Sequence, residues 1–332
     1  MRKKYKCFCQ KGLGSLNLFI YAFYLKIKFL INIRKKSNKI ISILLFLFLI
    51  LFFKKENIKI ALCTMGKQEN LYVKEFIKYY IKLGIDKIFI YDDNDINTEE
   101  ISDIIDLRYK KYVKIFKTIK LKLFTQSKLF TDCYTRIKNK FDWVLMVDMD
   151  EYLYIKKEKL KNYLLNPVFN KCDFIKFHWV IPNDNNHILY ENKSLFERFN
   201  SSYKSSIFVK SIIRGNIPKL KYMVHSPFIS PFRNISCNNI GEKININKID
   251  YEFITNINIQ NAFIIHFKYK STEEYVNKIK RGYHCFTKNY ILKTKIKDYF
   301  QDNEITKEKI EYLEKELNIS LKNYKKKKQI IY

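Results

Sequence analysis

Three carboxylates, Asp148, Asp150 and Glu151, close an apolar run in a chain whose formal charge is +30. The run Trp143-Val144-Leu145-Met146-Val147 reads as a buried strand. In α/β sheets ligands gather beyond the carboxyl ends of strands, which is where these acids fall. Asp148 and Asp150 bracket one residue, so on an extended strand end both point to one face. Two hard oxygen ligands on one face suit Mg²⁺ or Mn²⁺, and such an ion can hold a diphosphate. The plainer reading of an Asp-x-Asp triplet is a cap on the next helix. Glu151 fits either a supporting role in the site or such a cap.

The elements that must position these acids can be read around them. Ile58 to Thr64 is a strand, Met65 to Asn70 a turn, and Leu71 to Leu83 a helix that Gly84 stops. Lys87 to Tyr91 is a second strand ending in Asp92-Asp93-Asn94-Asp95. Ile101 to Leu107 suits a short helix, Val113 to Phe116 a third strand, and Thr125 to Lys138 a helix leading into the Trp143 strand. This alternation predicts a mixed, mostly parallel sheet flanked by helices, an α/β fold with right-handed crossovers. Beyond Glu151, strands are expected at Asp173 to Val180, Ser205 to Ile213 and Ala262 to Phe267. A helix follows from about Thr272 to Arg281, with Ser271 as its cap. From about Asp298 the chain is charged and helix-prone.

Composition bounds the class. The 332 residues are 47% hydrophobic, with 25 Tyr and 27 Phe, ample for a packed core. The 63 Lys and Arg are spread along the whole length. There is no zinc-finger spacing, aromatic single-strand RNA signature or helix-turn-helix pattern, which argues against nucleic acid as the partner. The bias toward Lys, Ile and Asn, with attraction to anionic lipid or a nucleotide diphosphate, accounts for the charge. The seven cysteines form no Cys-x-x-Cys pair, and their odd, scattered set predicts neither a zinc site nor a disulfide framework.

Residues 1–39 are a basic tail without acids. Ile40 to Phe53 is apolar except for Ser42 and is bounded by Lys39 and Lys54-Lys55. Its fourteen residues are short of the roughly 20 that cross a bilayer comfortably, but snorkelling Lys at both ends extends its reach. It reads as a single-pass, type II-like anchor, with residues 57–290 as the soluble domain on the far side and 291–332 as a charged helical tail. Asn-x-Ser sequons at Asn192, Asn200, Asn234 and Asn318 are compatible with a lumenal domain, in the ER or Golgi of a eukaryote.

With these landmarks in place, residues 58 to 282 resemble glycosyltransferases of the family 2-like and family 92 group, which have the GT-A fold. Ala61-Leu62-Cys63-Thr64 with Lys67, Glu69 and Asn70 is similar to that group's first strand and nucleotide loop. Glu75 to Tyr80, Leu83 to Lys87 and Tyr91-Asp92-Asp93-Asn94 continue the pattern. Gln126 and Cys133 precede the Asp148-Met149-Asp150-Glu151-Tyr152 centre. Glu197-Arg198-Phe199, Lys210 to Arg214 with His225, then His266, Lys270 to Tyr275 and Lys280-Arg281-Gly282 complete it. The first loop departs locally: Lys67-Gln68-Glu69-Asn70 stands where the family commonly has Lys-Asn-Glu, and the Asp184 loop matches no family pattern closely.

The resemblance implies a transfer of sugar from a nucleotide diphosphate, a UDP-sugar favoured, to a glycan, glycoprotein or glycolipid. It implies Asp150 as a direct ligand of Mn²⁺ or Mg²⁺, with Asp148 on the ribose or on the metal through water. His266, after the Ala262-Phe263-Ile264-Ile265 strand, would complete the metal set, where a lone His is more often structural. Thr64, Lys67, Glu69 and Asp92 would line the nucleotide, although Asp92 also suits a turn and Glu69 a helix cap. Lys210 and Arg214 could neutralise phosphate or lie on a solvated surface. An inverting transfer needs a general base, for which Asp184 and Glu197 are the candidates; Glu197 beside Arg198 also fits an ion pair. Trp179 borders a loop and suits the acceptor side, whereas Trp143 belongs to the core. The competing classes are a metal-dependent nucleotidyltransferase, a basic nucleic-acid binder and a non-catalytic sugar-binding member of the fold.

Overall fold

A computed structural model describes residues 58–95, 98–118, 125–228, 234–244, 253–282 and 288–321. The apolar segment at 40–53, the basic tail before it and Cys7, Cys9 and Cys285 lie outside the described residues. Among the described residues no helix is long and apolar enough to cross a membrane.

The first half follows the expected alternation. Strand β1 (Ile60–Gly66) is buried along nearly its whole length, as an apolar run flanked on both faces should be. Helix α1 (Val73–Leu83) turns Val73, Phe76, Ile77 and Tyr80 inward at helical spacing and ends at Gly84, whose φ of 112° favours glycine. Strands β2 (Lys87–Asp92) and β3 (Val113–Lys117), helix α2 (Thr125–Ile137) and strand β4 (Trp143–Met146) complete this half. β1 is parallel to both β2 and β4, and β2 is parallel to β3.

After β4 the sheet becomes mixed. Strands β5 (Glu151–Ile155), β6 (Phe174–Pro182), β7 (Tyr203–Arg214) and, later, Ala262–His266 extend it. The order is β3-β2-β1-β4-β7-β6-(262–266)-β5, with β7 antiparallel to β4 and the 262–266 strand antiparallel to β5. Five residues carry the chain from Met146 to Glu151, a reach of at most about 18 Å. Four strand spacings in a flat sheet come to about 19 Å. The Glu151 amide moreover donates back to the Asp148 carbonyl at 3.1 Å, so the link is folded, and the sheet must curl to let it close.

Two features differ from the sequence expectation. Asp148 to Asp150 is a turn and not a strand end, because the β1–β4 ladder stops at Met146. The turn is seated on β1: a Cβ added at Gly66 would meet the Met149 Cε at 2.8 Å. The chain also carries two disulfides, Cys63–Cys133 and Cys172–Cys237, where the scattered cysteines predicted no framework. The first ties β1 to α2 and the second ties the entry of β6 to the short strand Ser236–Cys237.

The C-terminal stretch is helical, at Lys288–Asp302 and Lys307–Leu317, but it packs into the domain. Tyr299, Ile310 and Leu313 are buried, so the described part of this segment contributes to the core. The predicted cap at Ser271 is present as a capping box with Glu274, opening helix Thr272–Lys280.

Candidate functional site

The Asp148–Asp150 turn lies at the carboxyl end of β4, and five buried or half-buried side chains meet it: Gln126, Glu151, Lys210, His266 and Lys278. β7 places Lys210 one residue beyond the Met146–Ser211 pair, at the end of β4. Its fully buried ammonium donates to Asp148 Oδ2 at 2.9 Å and to the Val224 carbonyl at 3.0 Å, and lies 3.6 Å from Glu151 Oε2. Gln126, in the first turn of α2, donates its amide to Asp148 Oδ1. Both Asp148 oxygens are thereby engaged. Lys210 was expected either at a phosphate or on a solvated surface; it is neither exposed nor unpaired here.

Asp150 faces a different set. Lys278 Nζ donates to its Oδ2 at 2.6 Å, and His266 Nε2 stands 3.6 Å from its Oδ1. Burial pushes the Asp150 carboxyl up, but Lys278 and then His266 outweigh it and hold it well below the usual carboxylate range. Because the three residues form a turn, the two aspartates do not share one face in the way strand alternation predicts. His266 is reached through the ladder between β5 and the 262–266 strand, in which it is the direct partner of Glu151. Burial keeps its imidazole below the ordinary histidine pKa, hence neutral near pH 7.

Glu151 opens β5 and is fully buried. Its Oε2 accepts the Asp148 amide at 2.9 Å, and its Oε1 has no hydrogen-bond partner among the described residues. Burial drives its pKa well above the ordinary value; Lys210 opposes that shift and Asp148 and Asp150 add to it. The side chain braces the turn in the manner of a cap, while its backbone begins a new strand.

The first loop is fastened to the far end of the chain. Glu69 accepts from Lys270 Nζ at 2.7 Å and pairs with Arg281 Nη2 at 2.8 Å, while Arg281 also donates to the Lys67 carbonyl. Burial pushes the Glu69 carboxyl up, but Lys270 and Arg281 keep it below its usual range. Glu69 therefore anchors the loop that follows β1. Asp92 is fully buried and accepts the Asn94 and Ile101 amides, each at 3.1 Å, which is the turn role weighed for it. Thr64 is buried in β1 with its hydroxyl unpartnered among the described residues, and Lys67 is half-buried. Arg214 donates to the Cys172, Phe169 and Asn170 carbonyls and lies over the Trp143 ring, a structural use far from phosphate binding.

The two general-base candidates stand apart from this cluster. Asp184 is closed in by Lys309, at 2.8 Å from each carboxylate oxygen, with Tyr299 and the Asn186 amide completing its shell. Glu197 is exposed and closes a capping box on Ser194, whose amide its Oε2 accepts at 3.2 Å. Its neighbour Arg198 is buried and pairs with Glu274 at 2.7 Å, so the Glu197–Arg198 ion pair considered from sequence is not formed. Trp179 is buried, with its ring 4.3 Å from that of His266 and 4.9 Å from that of His225.

For a divalent ion, the Asp150–His266 pair supplies a carboxylate oxygen and an imidazole, a set that suits Mn²⁺ better than Mg²⁺, which prefers oxygen ligands alone. Asp148 is turned to Gln126 and Lys210, and among the described residues no three His, Cys, Asp or Glu side chains are grouped to hold a metal. The fit is thus to the pair and not to the expected triad. Lys278 was not singled out from sequence, and among 63 basic residues nothing marked it.

The family described as glycosyltransferase family 92 matches residues 56–321. A family 92 protein of Oryza sativa subsp. japonica is 29% identical over 114 residues, 32% of this chain and 19% of its own length. One of Arabidopsis thaliana is 30% identical over 103 residues, 30% of this chain and 18% of its own. The chain therefore spans about a fifth of the length of these relatives. Among solved structures, S. aureus TarS 1–349 aligns over 47% of this chain and 47% of its own, at 15% identity and a TM-score of 0.31, a likeness too small to argue from.

Proposed function

The chain belongs to glycosyltransferase family 92, and from that premise we propose that it moves a sugar from a nucleotide diphosphate, a UDP-sugar favoured, to a glycan or glycoconjugate. The observation that carries this reading is the Asp148–Asp150 turn at the carboxyl end of β4, with its carboxylates set among Lys210, Lys278 and His266. Such a turn suits a diphosphate better than a nucleic-acid surface, which needs exposed and not buried cations.

Asp150 and His266 would hold Mn²⁺ or Mg²⁺, which when bound neutralises charge on the leaving diphosphate. Lys278 keeps Asp150 ionised, and Lys210, paired with Asp148, and Lys278 add positive charge beside the phosphates. Glu69 fixes the loop after β1 through Lys270 and Arg281, and Thr64 and Lys67 border the nucleotide. For an inverting transfer, Glu197 is the exposed carboxylate of the two candidates. Glu197→Gln separates its roles, because Gln preserves a capping box and cannot take a proton.

The two disulfides and the exposed sequon residues Asn192, Asn200 and Asn318 support an oxidising, lumenal setting, with residues 40–53 as the single-pass anchor. The direct test is UDP release from a panel of UDP-hexoses, with Mn²⁺ and mixed glycan acceptors, in wild type and Asp150→Ala. Acceptor-dependent UDP release that the substitution removes supports the reading. No release from any donor contradicts it.

A further inference from the structure

Buried polar atoms without partners are uncommon, because each loses its hydration without regaining a hydrogen bond. Several occur together beside the Asp148–Asp150 turn. Trp179 Nε1, His225 Nδ1 and His266 Nδ1 are buried and have no hydrogen-bond partner among the described residues. The three rings touch: Trp179 to His266 at 4.3 Å and to His225 at 4.9 Å, with Phe208 5.1 Å from His225 and 5.3 Å from Trp179. Trp179 comes from β6, His266 from the strand beside it, and His225 from the bend between the short strands Lys221–Tyr222 and Pro227–Phe228.

This group is continuous with the carboxylates on both sides. His266 faces Asp150, and Lys210 joins Asp148 to the Val224 carbonyl next to His225. His225 is half-buried, so the cluster comes nearest to solvent there. Unpartnered ring nitrogens are what the edge of a pyranose needs, because its hydroxyls require donors and acceptors. Burial, then Lys210 and His266, bring the His225 pKa down to about 2, so its imidazole is neutral and offers one donor and one acceptor.

We infer that Trp179 and His225, with His266 at their border, form the polar wall of a hexopyranose subsite: hydroxyls of the sugar pair with the indole N–H and the His225 imidazole. The inference rests on the glycosyl-transfer reading for its place beside a diphosphate. The sugar is either that of the donor or the terminal residue of the acceptor, and the ligands chosen separate these sources.

The full chain, with Mn²⁺ present, is titrated calorimetrically with UDP, UDP-glucose, UDP-galactose, UDP-N-acetylglucosamine and the matching methyl hexopyranosides. Wild type is compared with Trp179→Phe, which keeps a ring in the core, and with the milder His225→Ala; thermal melting confirms folding. The expected result is that one UDP-hexose binds about tenfold tighter than UDP, or one methyl hexoside binds on its own. Each variant should reduce that sugar-dependent affinity by about tenfold and leave UDP within about twofold. A gain confined to UDP-hexoses identifies the donor sugar, and one confined to methyl hexosides the acceptor sugar. Folded variants that bind every sugar ligand as wild type does overturn the inference, as does a wild type with no sugar-dependent binding. If UDP fails to bind while a methyl hexoside binds through Trp179, the subsite stands and the donor reading falls.

Discussion

Two buried carboxylate clusters in this chain look alike in composition and differ in completeness. At Asp184, both oxygens are bonded, Lys309 also donates to Asn186 Oδ1 and the Glu304 carbonyl, and the Asp184 amide meets Asn303. No member of that cluster is among the buried polar atoms lacking a partner. At the Asp148–Asp150 turn, lysines also neutralise the carboxylates, yet Glu151 Oε1, His266 Nδ1 and Ser211 Oγ remain unpartnered among the described residues. A closed network locks the C-terminal helices to the 183–187 loop. An open one costs stability unless a ligand completes it, and on the proposed function that difference would separate a structural acid from a functional one.

The contrast can be broken by substitution. Lys309→Met should have the largest effect, because it leaves Asp184 buried and unpaired at a cost of about 3–5 kcal/mol; urea unfolding measures it, and nucleotide binding by the folded fraction should be unchanged. Asp150→Ala should lower turnover by about 10²–10³-fold and shift the urea midpoint less than Lys309→Met does. An equal loss of stability in the two variants would make both clusters structural and end the distinction.

Lys278→Met sharpens the comparison through pH. Wild-type Asp150 has a lowered pKa, so its stabilising contribution is present above the unfolded carboxylate value and is lost only as pH falls through the lowered folded value. Without Lys278 the opposing burial raises that pKa, and the acid loss should begin at higher pH. Thermal melts between neutral and acidic pH, paired with Asp150→Asn, which should flatten that dependence, read the shift. The smallest expected effect is Ser194→Ala. Loss of the cap that accepts the Phe196 amide should cost about 1 kcal/mol by urea unfolding, with turnover nearly unchanged.

Much of the scaffold was legible from sequence because its signals are local. Apolar periodicity located α1, Gly84 its end and Ser271 the start of the later helix. The acids after Trp143 marked the β4 end because three carboxylates are conspicuous in so basic a chain. What escaped depends on contacts distant in sequence. The turn at Asp148 follows from where the β1 ladder runs out, and β5 was hidden because it starts on an acid. The pairings Cys63–Cys133 and Cys172–Cys237 join residues 70 and 65 apart, with no spacing signature. Lys210, Lys278 and Lys309 look like any other lysine until the fold buries them. Asp184 illustrates the converse: a loop acid beside Asn residues reads as accessible, but its partner lies 125 residues further along.

The central claim is that the Asp148–Asp150 turn receives a nucleotide diphosphate. Calorimetric titration of the full chain with UDP and GDP, with and without Mn²⁺, in wild type and Asp150→Ala, tests it most directly. The account predicts Mn²⁺-dependent binding of UDP that disappears in the variant while a cooperative thermal melt shows the variant still folded. Failure of both nucleotides to bind with Mn²⁺ present, or UDP binding that Asp150→Ala leaves intact, would contradict it.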